Sequence, residues 1–335
     1  MLKSKDIDRS PNVTQIVSIT IKTVIAIGSL YFIYNEISKR EDIEEVVQSF
    51  NSIASKGITY VNLAIVVLLM LFNWALEARK WQILLRKIKV IKFTKAFIST
   101  LSGITVSFFT PNRMGEFLGR VLHLDPKNRI EASVASVLGS ISQTIITIFI
   151  GAIAAIGIIT EHVKWAAEDP ALFWVAVTGS LIFFGAIYFR SDLASKYLSN
   201  VKVINRYAPK LSILEKYTVI EKMTILCYSL LRYIVFSLQF FILLLTMEVW
   251  VSPHLAFKLI ATLFLVLTII PGTALTELAV RGSVALALFG VFSDNQTGIL
   301  AATFLIWFIN LVIPAAMGTL SIYFIKTNKN AIISE

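Results

Sequence analysis

The sequence has almost none of the residues from which disulfides and metal centres are built. It contains a single cysteine, Cys227, which excludes an internal disulfide and a cysteine-based metal site. Its three histidines, His123, His162 and His254, are far apart and show no ligand spacing. The chain also lacks the Gly-x-x-x-x-Gly-Lys-Ser/Thr loop that binds nucleotide phosphates. We therefore expect no metal, no cofactor and no direct use of ATP. Because no nucleophile with a partner base is recognisable, we also expect that the protein is not an enzyme.

Apolar residues dominate what is present. They make up 56% of the chain, and the mean hydropathy is +0.75, whereas soluble domains are roughly 45–50% apolar. Several apolar runs approach the ~20 residues that a helix needs to span a bilayer. The first run, from Val13 to Tyr34, is too long for the apolar part of a signal peptide. The sequence thus predicts an all-α polytopic membrane protein with one integral membrane domain over residues 1–335.

The basic residues, which give a formal net charge of +10, are concentrated in a few loops. The segments 79–95 and 190–220 are rich in Lys and Arg, whereas 35–57 carries an excess of acids. Loops with an excess of Lys and Arg are usually cytoplasmic. We therefore expect a cytoplasmic loop at 190–220 and both termini in the cytoplasm. This distribution explains the charge by membrane topology, so we expect no nucleic-acid partner.

The apolar runs predict a repeated arrangement of spans. Two further apolar regions, 96–122 and 257–291, each contain a Pro break between arms that are short for the ~30 Å hydrocarbon core, which predicts re-entrant hairpins. The order span, span, hairpin, span then occurs twice in opposite orientation, which predicts an inverted repeat with halves at 13–159 and 171–325. If the arms cross the bilayer fully, the chain has eight to ten spans instead. The six full spans are predicted at 13–34, 58–78, 132–159, 171–189, 221–247 and 298–325.

Charged residues lie close to both Pro breaks, and each break is followed by a Glu and, four residues later, an Arg. Ionisable side chains at membrane depth usually mark a substrate pathway. A helix that begins there suits an anion, and Arg can bind phosphate through two donors. Glu77 is a further acid in an apolar segment, and the Glu–Arg pairs could instead be purely structural. The residues predicted at the broken helices are Pro111, Gly115, Pro271 and Gly272. The residues predicted to bind the substrate are Arg113, Glu116, Arg120, Arg232, Glu277 and Arg281.

These two segments carry a resemblance to a known family. Residues 110–120, Thr-Pro-Asn-Arg-Met-Gly-Glu-Phe-Leu-Gly-Arg, resemble the Pro-x-Arg-x-Gly-Glu-x-x-x-Arg segment of the lysylphosphatidylglycerol synthase transmembrane-region family, and Pro271, Gly272 and Glu277 resemble its second motif. Here Thr273 to Thr276 replace the Gly-rich stretch that family members often carry. The resemblance implies a flippase-like module. Since the chain ends at Glu335, we expect a stand-alone member without the aminoacyltransferase domain.

The functional hypothesis is a lipid translocator in the bacterial inner membrane. Its substrate would be an anionic or aminoacylated phospholipid, or another lipid-linked headgroup. Two alternatives stay open: a membrane-embedded transferase acting on a polyprenyl-phosphate or sugar-lipid with Glu116 as its base, and a non-transporting scaffold for a lipid-modifying enzyme. The candidate protein partners are accordingly a second copy of the chain and a separate lipid-modifying enzyme.

Overall fold

The computed structural model describes residues 57–108, 110, 114–162, 171–193, 197, 208–270 and 274–332. Within these ranges the secondary structure is helical, with no strand. The helices are α1 (Gly57–Leu85), α2 (Phe93–Ser107), α3 (Gly115–Val121), α4 (Arg129–His162), α5 (Ala171–Phe189), α6 (Ala208–Leu211), α7 (Val219–Thr246), α8 (Pro253–Ile269), α9 (Ala274–Phe289), α10 (Gln296–Trp307) and α11 (Ile313–Ile332). A 3₁₀ turn at Pro126–Asn128 precedes α4, another at Ser212–Lys216 follows α6, and a π-helical turn at Phe308–Val312 joins α10 to α11.

The protein is a multi-pass membrane protein, as its composition predicts. Among the described residues, four helical stretches are long and apolar enough to cross a bilayer, and they coincide with four of the predicted spans. Helix α5 covers a further predicted span, 171–189. The predicted span at 13–34 lies outside the described residues. The four long stretches are Gly57–Leu85, Pro126–Glu161, Val219–Thr246 and Gln296–Ile322.

Several helix ends have a visible local cause. Helix α7 begins at a capping box, in which the Thr218 hydroxyl accepts from the backbone N–H of Glu221 and the Glu221 carboxylate accepts from that of Thr218. Helix α8 begins with Pro253, whose fixed φ suits a first helical position. The π-helical turn ends at Val312, two residues before Pro314. Because Pro314 has no N–H, it cannot bond to the carbonyl of Asn310, and the regular ladder is interrupted there.

The helix that contains the second predicted span extends beyond that span. The second span was predicted to end at residue 78, but α1 continues to Leu85. No Gly or Pro lies between Gly57 and Leu85 to stop the helix. Lys80, which the charge pattern placed in a cytoplasmic loop, is therefore a helical residue, and only 1% of it is exposed.

The two regions with Pro breaks each contain a pair of short helices. In the first, α2 and α3 pack directly against each other, and in the second, α8 is followed by α9. The breaks themselves, with Pro111 and Arg113 in the first and Pro271 and Gly272 in the second, lie outside the described residues. The short helices begin three or four residues before the predicted regions, at Phe93 and Pro253. The polar cluster described below is built against the first pair.

The hydroxyls of two buried tyrosines link the ends of α1, α5 and α7 near Leu84. The Tyr217 hydroxyl donates to the carbonyl of Leu84 at 2.5 Å, and the Tyr188 hydroxyl donates to the carbonyl of Lys222 at 2.8 Å. Leu84 belongs to the last turn of α1, whose carbonyls have no partner within the helix. These bonds fix α1, α5 and α7 relative to one another, and α1 and α7 supply most of the polar cluster.

Candidate functional site

Glu77 is the centre of the buried charges. It lies on α1 with 3% of its surface exposed, and three cationic side chains contact its carboxylate. Lys80 Nζ is 2.8 Å from Oε2, Arg120 Nη2 is 2.6 Å from Oε1, and Arg232 Nη1 is 2.5 Å from Oε2. A carboxylate buried in an apolar protein is stable only when it is paired and hydrogen-bonded. The three cations, which come from α1, α3 and α7, meet that requirement.

Arg120 connects this centre to the first pair of short helices. Its Nη2 donates to Glu77 and also to Glu116, which lies one turn earlier on α3. This i,i+4 contact is the one that the spacing predicts. The guanidinium of Arg120 also lies 5.6 Å from the ring centre of Trp81, in a cation–π contact. Arg120 is only 3% exposed, so its two carboxylate partners leave little of it accessible.

Arg232 is the most exposed of the three cations around Glu77. Besides its bond to Glu77, its Nε donates to Asn73 at 3.1 Å and its Nη1 to Gln143 at 3.3 Å. Its guanidinium lies 5.2 Å from the ring centre of Trp74. The side chain is 15% exposed, and among the described residues its Nη2 has no hydrogen-bond partner. Arg232 therefore keeps one donor group available to a ligand.

Lys80 anchors the opposite side of Glu77. Its Nζ donates to the Gly139 carbonyl and to the Ser229 hydroxyl, both at 3.3 Å. The Ser229 hydroxyl is in turn 2.7 Å from that of Ser142. This network joins α1, α4 and α7, so Lys80 is held in place by groups other than the carboxylate.

The charged cluster opens onto a cavity of about 740 Å³. Its walls come from α1, α3, α4, α7, α8, α9, α10 and the π-helical turn. Its lining includes the charged residues Glu77, Glu116 and Arg232 and the apolar residues Phe264 and Trp307. The volume is within the range of about 300–1,000 Å³ that is usual for small-molecule sites. A cavity of this size and mixed polarity can hold a charged group with apolar material attached to it.

Glycines bring α2 and α3 close enough to place Arg120. A Cβ on Gly119 would be 2.4 Å from the Ser102 carbonyl oxygen, and one on Gly103 would be 2.8 Å from Cγ of Arg120. Neither position has room for a side chain, since real Cβ atoms essentially never approach within 3.0 Å. Gly115, predicted at the first break, is the first residue of α3, and its N–H donates to the Thr110 hydroxyl at 2.7 Å.

The structure brings most of the predicted site residues to one place. Glu116, Arg232 and Arg281 line the cavity, and Arg120 lies beside them on Glu77. Arg113 and the side chain of Glu277 lie outside what the structure describes.

Glu77, Lys80, Asn73 and Gln143 were not among the predicted site residues. The local signals were an acid in an apolar segment, at residue 77, and a base three residues later, at residue 80. Within the described part of the chain, no three His, Cys, Asp or Glu side chains are grouped as a metal site.

Comparison with known proteins identifies the family. A search of curated proteins found no match. A family model described as lysylphosphatidylglycerol synthase TM region matches residues 19–318, which is most of the chain and includes both Pro breaks and all of the charged cluster. The chain therefore belongs to the lysylphosphatidylglycerol synthase TM region family.

Proposed function

We propose that this protein translocates the anionic or aminoacylated headgroup of a phospholipid, or a related lipid-linked headgroup, across the bacterial inner membrane. The observation that carries the proposal is the charged cluster around Glu77, which opens through Arg232 onto the 740 Å³ cavity. Membership of a family of lipid-related membrane domains supports the same conclusion.

The charge of the cluster favours an anion. Lys80, Arg120 and Arg232 carry three positive charges against the two carboxylates of Glu77 and Glu116. This leaves one positive charge in excess among these buried or half-buried groups, and a phosphate in the cavity would balance it. Arg offers planar paired donors that match phosphate, which a Lys cannot provide.

The arrangement of the helices suggests how the headgroup crosses while its tails stay in the lipid. Both pairs of short helices contribute to the cavity: α3 through Glu116 and Phe117, α8 through Phe264, and α9 through Arg281. We propose that the two pairs are re-entrant hairpins in an inverted repeat, with both termini in the cytoplasm. Rocking of one repeat against the other would then expose the cavity to the two sides alternately.

The proposal is tested by headgroup accessibility in proteoliposomes. Purified protein is reconstituted with labelled phosphatidylglycerol, lysyl-phosphatidylglycerol or undecaprenyl phosphate, and the label reaching the opposite leaflet is measured. Arg232→Gln should abolish movement of the substrate lipid, because it removes a cation of the cavity wall that keeps a free donor group. The matched control is Lys258→Gln, since Lys258 is also a helical cation in an ion pair, with Glu161 at 2.5 Å, but does not line the cavity.

Folded wild-type protein that moves none of the three lipids would contradict the proposal. Equal rates in Arg232→Gln and in the control would also contradict it, because the cluster would then have no part in transport. Mass spectrometry of the recovered lipids distinguishes movement from covalent modification, which is what a transferase would produce.

A further inference from the structure

Glu77 occupies the place that a substrate anion would take. Its carboxylate bridges Arg120 at 2.6 Å and Arg232 at 2.5 Å, distances typical of strong charge-assisted bonds. A lipid phosphate that reaches the cavity meets Arg232 with part of its guanidinium already occupied by an internal anion. Phosphate and the Glu77 carboxylate therefore compete for the same donors.

We propose that Glu77 is an internal competitor of the lipid phosphate, an inference that rests on the proposed function. With no lipid bound, the Glu77 carboxylate pairs with both arginines. An arriving phosphate displaces it from Arg232, and the return of the carboxylate later displaces the phosphate. Glu77 thus sets how tightly the headgroup is held and how fast it leaves.

Arg232 is built to exchange one anion for another. Its Nη2 is free of partners among the described residues, so phosphate can bind there before Glu77 leaves. Its position does not depend on Glu77, because Asn73, Gln143 and the ring of Trp74 also hold the guanidinium. The donor fork therefore stays in place throughout the exchange.

Lys80 lowers the free-energy cost of releasing Glu77 from Arg232. A carboxylate released from its partners inside the protein would be left as an unpaired buried charge, which is strongly unfavourable. Lys80 is 1% exposed and its Nζ is 2.8 Å from Glu77, and Gly139 and Ser229 fix it independently. The carboxylate can therefore leave Arg232 while it keeps its contact with Lys80.

The test measures binding and transport in Glu77→Gln. Gln keeps the shape and an acceptor oxygen but removes the competing charge. Short-chain dihexanoyl-phosphatidylglycerol is titrated into purified protein, and its binding is followed by isothermal titration calorimetry. We expect the Kd to fall about tenfold, equivalent to about 1.4 kcal/mol, and the transport rate to fall because release is slower. Glu161→Gln, which neutralises an ion-paired carboxylate away from the cavity, should leave both unchanged.

A second comparison shows whether the tighter lipid binding expected for Glu77→Gln depends on Arg232. The double variant Glu77→Gln/Arg232→Gln should bind no tighter than Arg232→Gln alone. If Glu77→Gln does not fold, Glu77→Asp carries the test, because the shorter carboxylate cannot bridge both arginines. It should bind the lipid more tightly than the wild type but less tightly than expected for Gln.

Unchanged or weaker binding in folded Glu77→Gln, or in Glu77→Asp, overturns the inference. That failure is distinguishable from failure of the proposed function. If the wild type moves lipid but the variants bind no tighter, only the competitor role is lost. If the variants bind tighter but no protein moves lipid, the competing anion stands and transport is excluded.

Discussion

The close approach of α2 and α3 makes Gly119→Ala the most informative single substitution for the architecture of the site. The added Cβ would lie 2.4 Å from the Ser102 carbonyl oxygen and 2.7 Å from Cα of Gly103. Both neighbours are backbone atoms, so no rotation of a side chain can relieve the overlap. The two helices must move apart by at least about 0.6 Å for the shortest contact to reach even 3.0 Å.

This movement is transmitted directly to Arg120, the next residue on α3. Its 2.6 Å bond to Glu77 would lengthen to about 3.2 Å, the outer edge of a good hydrogen bond. Overpacking of this kind costs about 1–3 kcal/mol. Weakening a bond between charged groups adds as much as about 3 kcal/mol if the bond is lost. We therefore expect a stability loss of about 1–6 kcal/mol together with loss of lipid transport.

The assay compares thermal unfolding in detergent micelles with transport in proteoliposomes. The matched control is Gly185→Ala on α5, because a Cβ there has nothing within 4 Å. Ala is the better helix former, so the control should unfold at the same or a slightly higher temperature. If Gly119→Ala unfolds like the control and transports lipid at the wild-type rate, then the contact between α2 and α3 does not position Arg120.

Two further predictions concern the residues around the cluster. Tyr217→Phe should lower stability by about 1–3 kcal/mol, because it leaves the Leu84 carbonyl at the end of α1 without its hydroxyl donor; an unchanged unfolding midpoint would refute this. The Lys89 ammonium, which donates to Asp125 at 2.7 Å, holds the pKa of that exposed carboxyl below its usual value. Lys89→Gln should therefore raise this pKa toward the ordinary range, so that the carboxyl takes up its proton at higher pH. An NMR titration of labelled aspartate checks it, and an unmoved midpoint would contradict the contact.

Much of the fold could be predicted from the sequence, because it depends on local apolar runs. Helix α5 ends at Phe189, the last residue of its predicted span, where Arg190 follows it. The end of α1 could not be placed in the same way. Basic residues follow residue 78, and a rule based on loop charge places them in a cytoplasmic loop. The residues through Leu85 nevertheless include no helix breaker, so the helix continues.

The site was only partly accessible to sequence reasoning for a related physical reason. The pair of Glu116 and Arg120 depends on positions four apart in one helix, so spacing alone indicates it. Arg232 is recognisable because a charge in the middle of an apolar span needs a partner. The partner itself, Glu77, is 155 residues away in the chain. Its contacts with Arg120 and Arg232 depend on the packing of α1 against α3 and α7, which no local pattern specifies.

The contact between Lys80 and Glu77 is one that the local sequence pattern does indicate. It lies three residues after Glu77 on the same helix, a spacing that brings the two side chains to one face. Its side chain is 1% exposed, whereas that of Lys89, beyond the end of α1, is 41% exposed. The segment 79–95 keeps six basic residues and no acid without Lys80, so the predicted topology does not need it. An unpaired buried carboxylate costs more free energy than a single lysine gains from lying on one side of the bilayer. A basic residue within one helical turn of an acid in the membrane should therefore be treated as the ion-pair partner of that acid before it is counted as a topology signal.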